Sequence, residues 1–421
     1  MSENVQALRR GGVRGAQRES GNVIGAGILL FAASFISPLF GALFALVLFA
    51  TNRTRGMAAA ASIGIAFAAA FAAHGIEYKH ATDMTRWMIE CSYYTGEPLS
   101  SIFTSLNGDH QNLWIWNLAC WVCGNIGDLH LLQSMAAFIG YGLMSWLMFS
   151  NAAEENTSLW ALVPALLFLF LAVPTQPIVG NVRSTVGCII CAVAFCGRKG
   201  YSFSESLPGF ILIVAACLIH DSMVIALMIY LVQPLIVRAP VKFSIILALC
   251  ILVLVGGSSL LYASGIFNGI PFMQTVLQKA SFYTTGTEWD QEQATDALSN
   301  VRHILCLVLL ALLFVRVLVT GQRGGRTAVV LAVTLCVFAM EATLVNVGNR
   351  LQYIPILIGA TLLLNNQGRE IAAGERWPLF IDAVMLAVAF AICMISMSSF
   401  IPSFNYGEVM KAMVLFPGSV L

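Results

Sequence analysis

The chain is a train of apolar segments: 22–50, 57–74, 129–150, 159–173, 184–197, 207–220, 222–237, 243–264, 303–320, 327–346, 351–364 and 379–401. Roughly 20 apolar residues span a bilayer as a helix. Within a bilayer the backbone must satisfy its own hydrogen bonds, which severely limits the folds open to such a chain. The pattern predicts an all-α polytopic membrane protein with about 12–13 transmembrane helices. A composition 58% apolar and 10% charged excludes an ordinary soluble domain. A net charge of +1, with no basic run interleaved with aromatics, speaks against a nucleic-acid partner.

The connections Thr51–Gly56, Cys196–Ser206, Val237–Lys242, Thr320–Thr327 and Asn365–Arg376 carry basic residues. They fall on one side if the segments alternate, and that side is the cytoplasm by the positive-inside rule. Residues 1–20, with Arg9, Arg10, Arg14 and Arg18, read as a disordered basic cytoplasmic tail, and 21–421 as a single polytopic domain. The apolar stretch after the tail is too long for a cleaved signal. The outer face then receives two larger loops, 75–128 and 265–302. Segment 22–50 either crosses once or breaks at Ser37-Pro38 into a hairpin. The short aromatic stretch 111–124 must not cross, which makes it interfacial or re-entrant. Cys120-x-x-Cys123 and Cys188-x-x-Cys191 have metal-like spacing without a second pair or a histidine pair, and read as small buried hydrophobes.

Several cations stand on the outer face, against the topology signal: Lys79, Arg86, Arg183, Lys279, Arg302, Arg350 and Lys411. Basic groups there are readily explained as ligands for an anion, of which a lipid diphosphate is one. Asp83 and Arg86 lie three apart on one face of a predicted helix, as a surface ion pair or as site residues. Asn181-Val182-Arg183 follows Pro174 and Pro177 and opens a helix. Free N–H groups and the helix dipole already favour an anion there, and an arginine fork grips phosphate bidentately. The alternative is an arginine snorkelling to the interface. His220-Asp221-Ser222, between two apolar segments, offers a general base or acid, or a polar pair that fixes two helices. Arg350 and Tyr353 stand where the chain re-enters from outside. Lys279, Tyr283, Glu288, Asp290, Arg302 and His303 belong to a long polar loop of the kind that often forms a lid. Together these describe a polar chamber at the outer face, suited to a substrate half lipid and half polar.

These motifs resemble the EpsG family of exopolysaccharide proteins, which are similar to the Wzy polymerases. The match rests on Asp83-x-x-Arg86-Trp87, then Glu97-Pro98, then Asn181-x-Arg183, then a helix ending in His220 with Ser222 two on, and Arg350 with Tyr353. It runs from about residue 57 to 365. Ser184 stands where the family usually has Gln, and Trp87 where Tyr is common. The resemblance implies a GT-C-like fold and a glycosyltransferase of the bacterial cytoplasmic (inner) membrane. Its substrate would be an undecaprenyl-diphosphate-linked oligosaccharide, whose repeat units it joins at the outer face in exopolysaccharide, capsule or O-antigen synthesis. It also implies a chain-length regulator and a flippase as partners.

In that reaction an acceptor hydroxyl attacks the donor anomeric carbon and the lipid diphosphate leaves. Arg183 and Arg350 are expected to stabilise the diphosphate, assisted by Arg86, Lys279 or Arg302, with Asn181 and Tyr353 completing the binding set. Asp83 and His220 are the candidate bases, with Asp221 orienting His220. No Asp-x-Asp or paired-carboxylate metal site is present in the sequence, so a metal-independent enzyme without cofactor is expected. A flippase or transporter of a lipid-linked saccharide would bind the same diphosphate, and a monosaccharide transferase using a polyprenyl-phosphate sugar would share the chemistry.

Overall fold

The computed structural model describes residues 23–78, 83–104, 112–266, 297–320, 324–342, 351–373 and 376–400, with isolated positions between 269 and 277 and between 411 and 414. The basic tail, Lys79, Lys279, Tyr283, Glu288, Asp290 and Arg350 lie outside these residues. The described chain is helical. In chain order the helices are α1 (Val23–Ile36), α2 (Pro38–Thr51), α3 (Arg55–His74), α4 (Asp83–Ser92), α5 (Ser101–Thr104), α6 (Trp114–Ile126), α7 (Leu131–Glu154), α8 (Leu159–Ala172) and α9 (Thr175–Gly180). They continue as α10 (Val182–Gly197), α11 (Phe203–Cys217), α12 (Met223–Arg238), α13 (Pro240–Gly256), α14 (Ser258–Ser264), α15 (Ala297–Thr320), α16 (Gly325–Glu341), α17 (Tyr353–Ala373) and α18 (Arg376–Phe400).

The architecture is that of an all-α polytopic membrane protein. Among the described residues, α3, α7, α15 and α18 each contain a run long and apolar enough to cross a bilayer, and α13 with α14 forms a bent pair that makes a fifth. Seven further apolar helices are only 10–17 residues long. They include α10, α11 and the apolar run Tyr353–Asn365 that opens α17.

Segment 22–50 is a hairpin. Ser37 ends α1 and caps α2, its hydroxyl accepting from the Phe40 N–H at 3.4 Å, with Pro38 in the first turn where its missing N–H costs nothing. The two halves fold back so tightly that a Cβ on Gly41 would lie 2.5 Å from the Ser34 Cα. Val23 packs beside Gly56 and Leu30 beside Gly64, so α1 runs parallel to α3 and Val23 lies at the end of α3 that carries Arg55.

The bundle is closest where α3 meets α7. Alanines and glycines line this seam, and a Cβ on Gly142 would come within 2.9 Å of the Ala66 Cβ. Small residues give transmembrane helices the backbone approach that dispersion and weak polar contacts need, because lipid provides no hydrophobic drive between helices. At the basic end Arg53 donates to the Thr157 carbonyl at 2.6 Å, and Arg55 pairs with Glu154. Arg198 is fixed there by the Tyr230 carbonyl at 2.6 Å, Gln233 Oε1 at 2.9 Å and Ser206 Oγ at 3.0 Å. A cavity of about 350 Å³ opens beside it, lined by Lys199, Tyr201, Gly325 and Arg326 among others.

One ion pair sits inside the bundle. Arg316 on α15 grips Asp382 on α18 through two bonds, Nε to Oδ1 at 2.6 Å and Nη2 to Oδ2 at 3.2 Å, and both residues are buried. Nothing in the apolar pattern singled it out. Removing one partner leaves an uncompensated buried charge, at a cost of about 3–5 kcal/mol, whereas replacing both with apolar residues is often neutral or better. Asp382→Ala is therefore expected to lower the unfolding midpoint of the detergent-solubilised protein strongly, and Arg316→Met with Asp382→Leu to restore most of it. Equal losses in the single and double variants would show that α15 and α18 do not depend on this pair.

Candidate functional site

The first outer loop folds into a helical cap, and its sequence says why. Met84, Trp87, Met88 and Cys91 recur at helical spacing on α4 and are buried, while Asp83 and Arg86 face outward. Asp83 lies in the first turn, where the helix dipole favours a carboxylate, and pairs with Arg86 at 3.2 Å. On α6, Trp116, Cys120, Cys123 and Gly124 form the answering stripe. Gly124 is required there, since a Cβ would sit 2.2 Å from the Cys91 carbonyl oxygen. Cys91, Cys120 and Cys123 are buried free thiols. Hydrogen bonding to Cys120 raises the Cys91 pKa and burial raises that of Cys120, so both stay protonated.

The cap is tied to the bundle by a polar cluster. Gln133 Nε2 donates to the carbonyls of Ala73 at 2.6 Å and Ile76 at 2.9 Å, and His74 Nε2 bonds Asp128 Oδ2 at 2.9 Å. Partial burial pushes the Asp128 carboxyl up. The His74 bond and charge, with the His130 backbone N–H, outweigh it and hold the pKa below its ordinary value.

The centre of the site is an indole shared by two cations. The Arg183 guanidinium lies 4.0 Å from the Trp87 ring centroid and 5.4 Å from that of Trp116, and the Arg86 guanidinium lies 4.3 Å from Trp87. The indoles meet edge to face at 5.6 Å. A cation over an indole gains roughly 0.5–2 kcal/mol, more when desolvated. Arg183 is the second residue of α10, close behind Asn181, whose carbonyl accepts the Thr185 N–H at 3.1 Å. Trp116 Nε1 and Thr185 Oγ1 are buried without a hydrogen-bond partner. The Trp116 indole thus brings a donor with capacity to spare to the place where the cations gather.

The remaining residues approach from the sides. The Trp116 backbone N–H, as distinct from its indole N–H, donates to the Leu218 carbonyl at 3.4 Å, which ties the turn carrying His220 and Asp221 to α6. Met223, just past that turn, packs on Gly187 one turn into α10. His220 Nδ1 lies 3.2 Å from the Ser222 N–H and 2.8 Å from the Ser222 hydroxyl. Arg302 Nη1 donates to Gln176 on α9, a few residues before Arg183. Tyr353 lies within electrostatic reach of Arg302 and of Cys188 on α10. Asp83, Arg86 and Arg183, distant in sequence, thus meet through Trp87 at the N-terminus of α10, with Arg302 bound to α9 just ahead of it. The contributions of Trp116 and Gln176 were not legible beforehand. Only the aromatic richness of 111–124 pointed toward the first of them.

The EpsG family model matches residues 61–408. The chain belongs to the EpsG family. This is a family of exopolysaccharide biosynthesis proteins associated with glycosyltransferase-like polymerases. The match continues past residue 365, so α18 belongs to the shared region as well. No curated protein and no solved structure matches the chain. Within the EpsG chain the Asp83–Arg86 helix and the Asn181–Arg183 helix opening are in direct contact through Trp87.

The lowered pKa of Asp128 has a consequence for stability. A carboxyl whose folded pKa is depressed contributes stability above its unfolded pKa and loses it as pH falls through the folded value. The EpsG protein is therefore expected to lose cap stability below about pH 4. Asp128→Asn should flatten that part of a thermal-unfolding profile measured against pH. An identical acid profile in the variant would remove Asp128 from the anchoring cluster.

Proposed function

We propose that this EpsG protein is a polysaccharide polymerase of the bacterial cytoplasmic membrane. It joins oligosaccharide repeat units carried on undecaprenyl diphosphate, at the outer face. The observation that carries this reading is the pair of guanidiniums from separate chain regions on the Trp87 indole, at a helix N-terminus, with an unpartnered Trp116 N–H beside them. Fixed donors of this kind suit a leaving diphosphate, whose charge grows as the anomeric bond breaks. One such contact is typically worth roughly 3–4 kcal/mol in a water-poor site.

In this mechanism Arg183 and Arg86 receive the diphosphate, with Arg302 and the outer cations Lys279 and Arg350 assisting. Asp83 holds Arg86, and Asn181 and Tyr353 line the approach. His220 fits best as a donor. A backbone N–H can only donate, so the Ser222 N–H assigns the Nδ1 lone pair as acceptor, and the neutral ring carries its proton on Nε2. Asp221, next to it in sequence, orients the ring. His220 would then donate to the diphosphate or the departing oxygen. The reaction as proposed uses no metal, and chain-length regulation and flipping belong to partner proteins.

Arg183→Ala is expected to abolish long polymer at normal protein level, with a loss of roughly 100- to 1,000-fold in rate. Arg183→Lys should rescue only in part, because a point charge lacks the planar fork. Polymer of wild-type length from Arg183→Ala would overturn the assignment. Deleting the gene should leave a single lipid-linked repeat unit at the outer face. The same intermediate at the inner face would mean transport instead, and one lacking a sugar would mean a monosaccharide transferase. Polymerisation lost in chelator and restored by magnesium would overturn the metal-free mechanism.

A further inference from the structure

His303 and Glu341 form a second polar pair at the outer ends of α15 and α16. His303 Nε2 lies 2.9 Å from Glu341 Oε2, and the two side chains are 15% and 10% exposed, largely buried without being sealed. A carboxylate can only accept, so the neutral ring carries its proton on Nε2 and leaves Nδ1 as the lone pair. That nitrogen is buried and has no hydrogen-bond partner. The arrangement is the reverse of His220, whose Nδ1 already accepts from Ser222. One histidine is set as a donor, and the other holds a basic lone pair backed by a carboxylate.

The pair is linked to the candidate site through Arg302. Arg302, the preceding residue, reaches Gln176 just ahead of the Asn181–Arg183 helix opening. The charged and titratable groups around it are Arg302 and Cys306 on its own helix, Glu341 on α16 and Tyr353 on α17. The Arg316–Asp382 pair lies farther along α15, more than three turns away.

We propose that His303 is the general base for the acceptor hydroxyl and that Glu341 is its positioning residue. This assignment rests on the polymerase reading. The hydroxyl proton passes to His303 Nδ1 as the hydroxyl oxygen forms its bond to the anomeric carbon. The bond from that carbon to the diphosphate oxygen breaks, and its electron pair leaves with the diphosphate. The Glu341 carboxylate balances the imidazolium until the proton is released to water.

The test uses the full chain in lipid nanodiscs, with donor and acceptor saccharides extracted from a deletion strain. His303→Gln should lower kcat about 100- to 10,000-fold, leaving KM for the donor and binding of undecaprenyl diphosphate within about twofold of wild type. Glu341→Gln removes the charge that stabilises the imidazolium, so the acid limb of the kcat profile should move to lower pH. Glu341→Asp, which keeps the charge and withdraws it by one methylene, should shift that limb in the same direction by less. It carries the test if His303→Gln fails to insert. A His303→Gln rate within threefold of wild type, or an acid limb unmoved in both Glu341 variants, would overturn the assignment. A wild-type protein that elongates no lipid-linked donor, and whose binding of undecaprenyl diphosphate is indifferent to Arg183→Ala, would overturn the polymerase reading itself.

Discussion

The guanidinium of Arg183 over the Trp87 indole joins two parts of this protein that nothing else in the chain order brings together. Arg183 opens a helix that descends into the bundle, and Trp87 belongs to a short amphipathic helix of the outer cap. Desolvating an arginine is costly unless something replaces its water, and two aromatic faces do so here while leaving the fork's N–H groups directed to other partners. The cap is held by this contact together with the His74–Asp128 and Trp116–Leu218 bonds, and its own packing serves it. Gly124 lets α6 come up to the Cys91 carbonyl, and α6 delivers Trp116 to the same guanidinium.

The bundle below divides its polar groups by end. At the basic end, arginines are consumed by structure: Arg53, Arg55 and Arg198 are bound to carbonyls, amides and a carboxylate of neighbouring helices. At the outer end, cations converge on one helix opening, beside a buried indole N–H with hydrogen-bonding capacity to spare. The first arrangement stabilises a fold and the second suits an anionic ligand. Short helices such as α10 and α11 fit this division, because a helix that ends beneath a polar chamber need not span the full apolar thickness.

Two histidines illustrate how the backbone assigns chemistry. His220 and His303 are the same side chain, yet a backbone N–H occupies the Nδ1 lone pair of one, and a carboxylate engages Nε2 of the other and leaves its Nδ1 lone pair. The partner Glu341 lies 38 residues from His303, at the far end of another helix. No spacing rule connects them, because the contact arises only when α15 and α16 pack antiparallel.

The membrane class, the helical content and the motifs of the EpsG family were legible in the order of residues. Each rests on local physics: unbroken apolar length and short spacings around Arg183 and His220. The break at Ser37-Pro38 was visible as an alternative, and packing decided for the hairpin, because Gly41 permits the fold-back against Ser34. The rest required tertiary structure. Trp116 reads as one aromatic among several until α6 turns it toward Arg183, and Arg316 is hidden in an apolar run until α18 brings Asp382 to it. Sequence by itself determined which residues could not remain in lipid or water alone. The fold decided which of them meet, because pairing across the bundle depends on distances that chain separation does not encode.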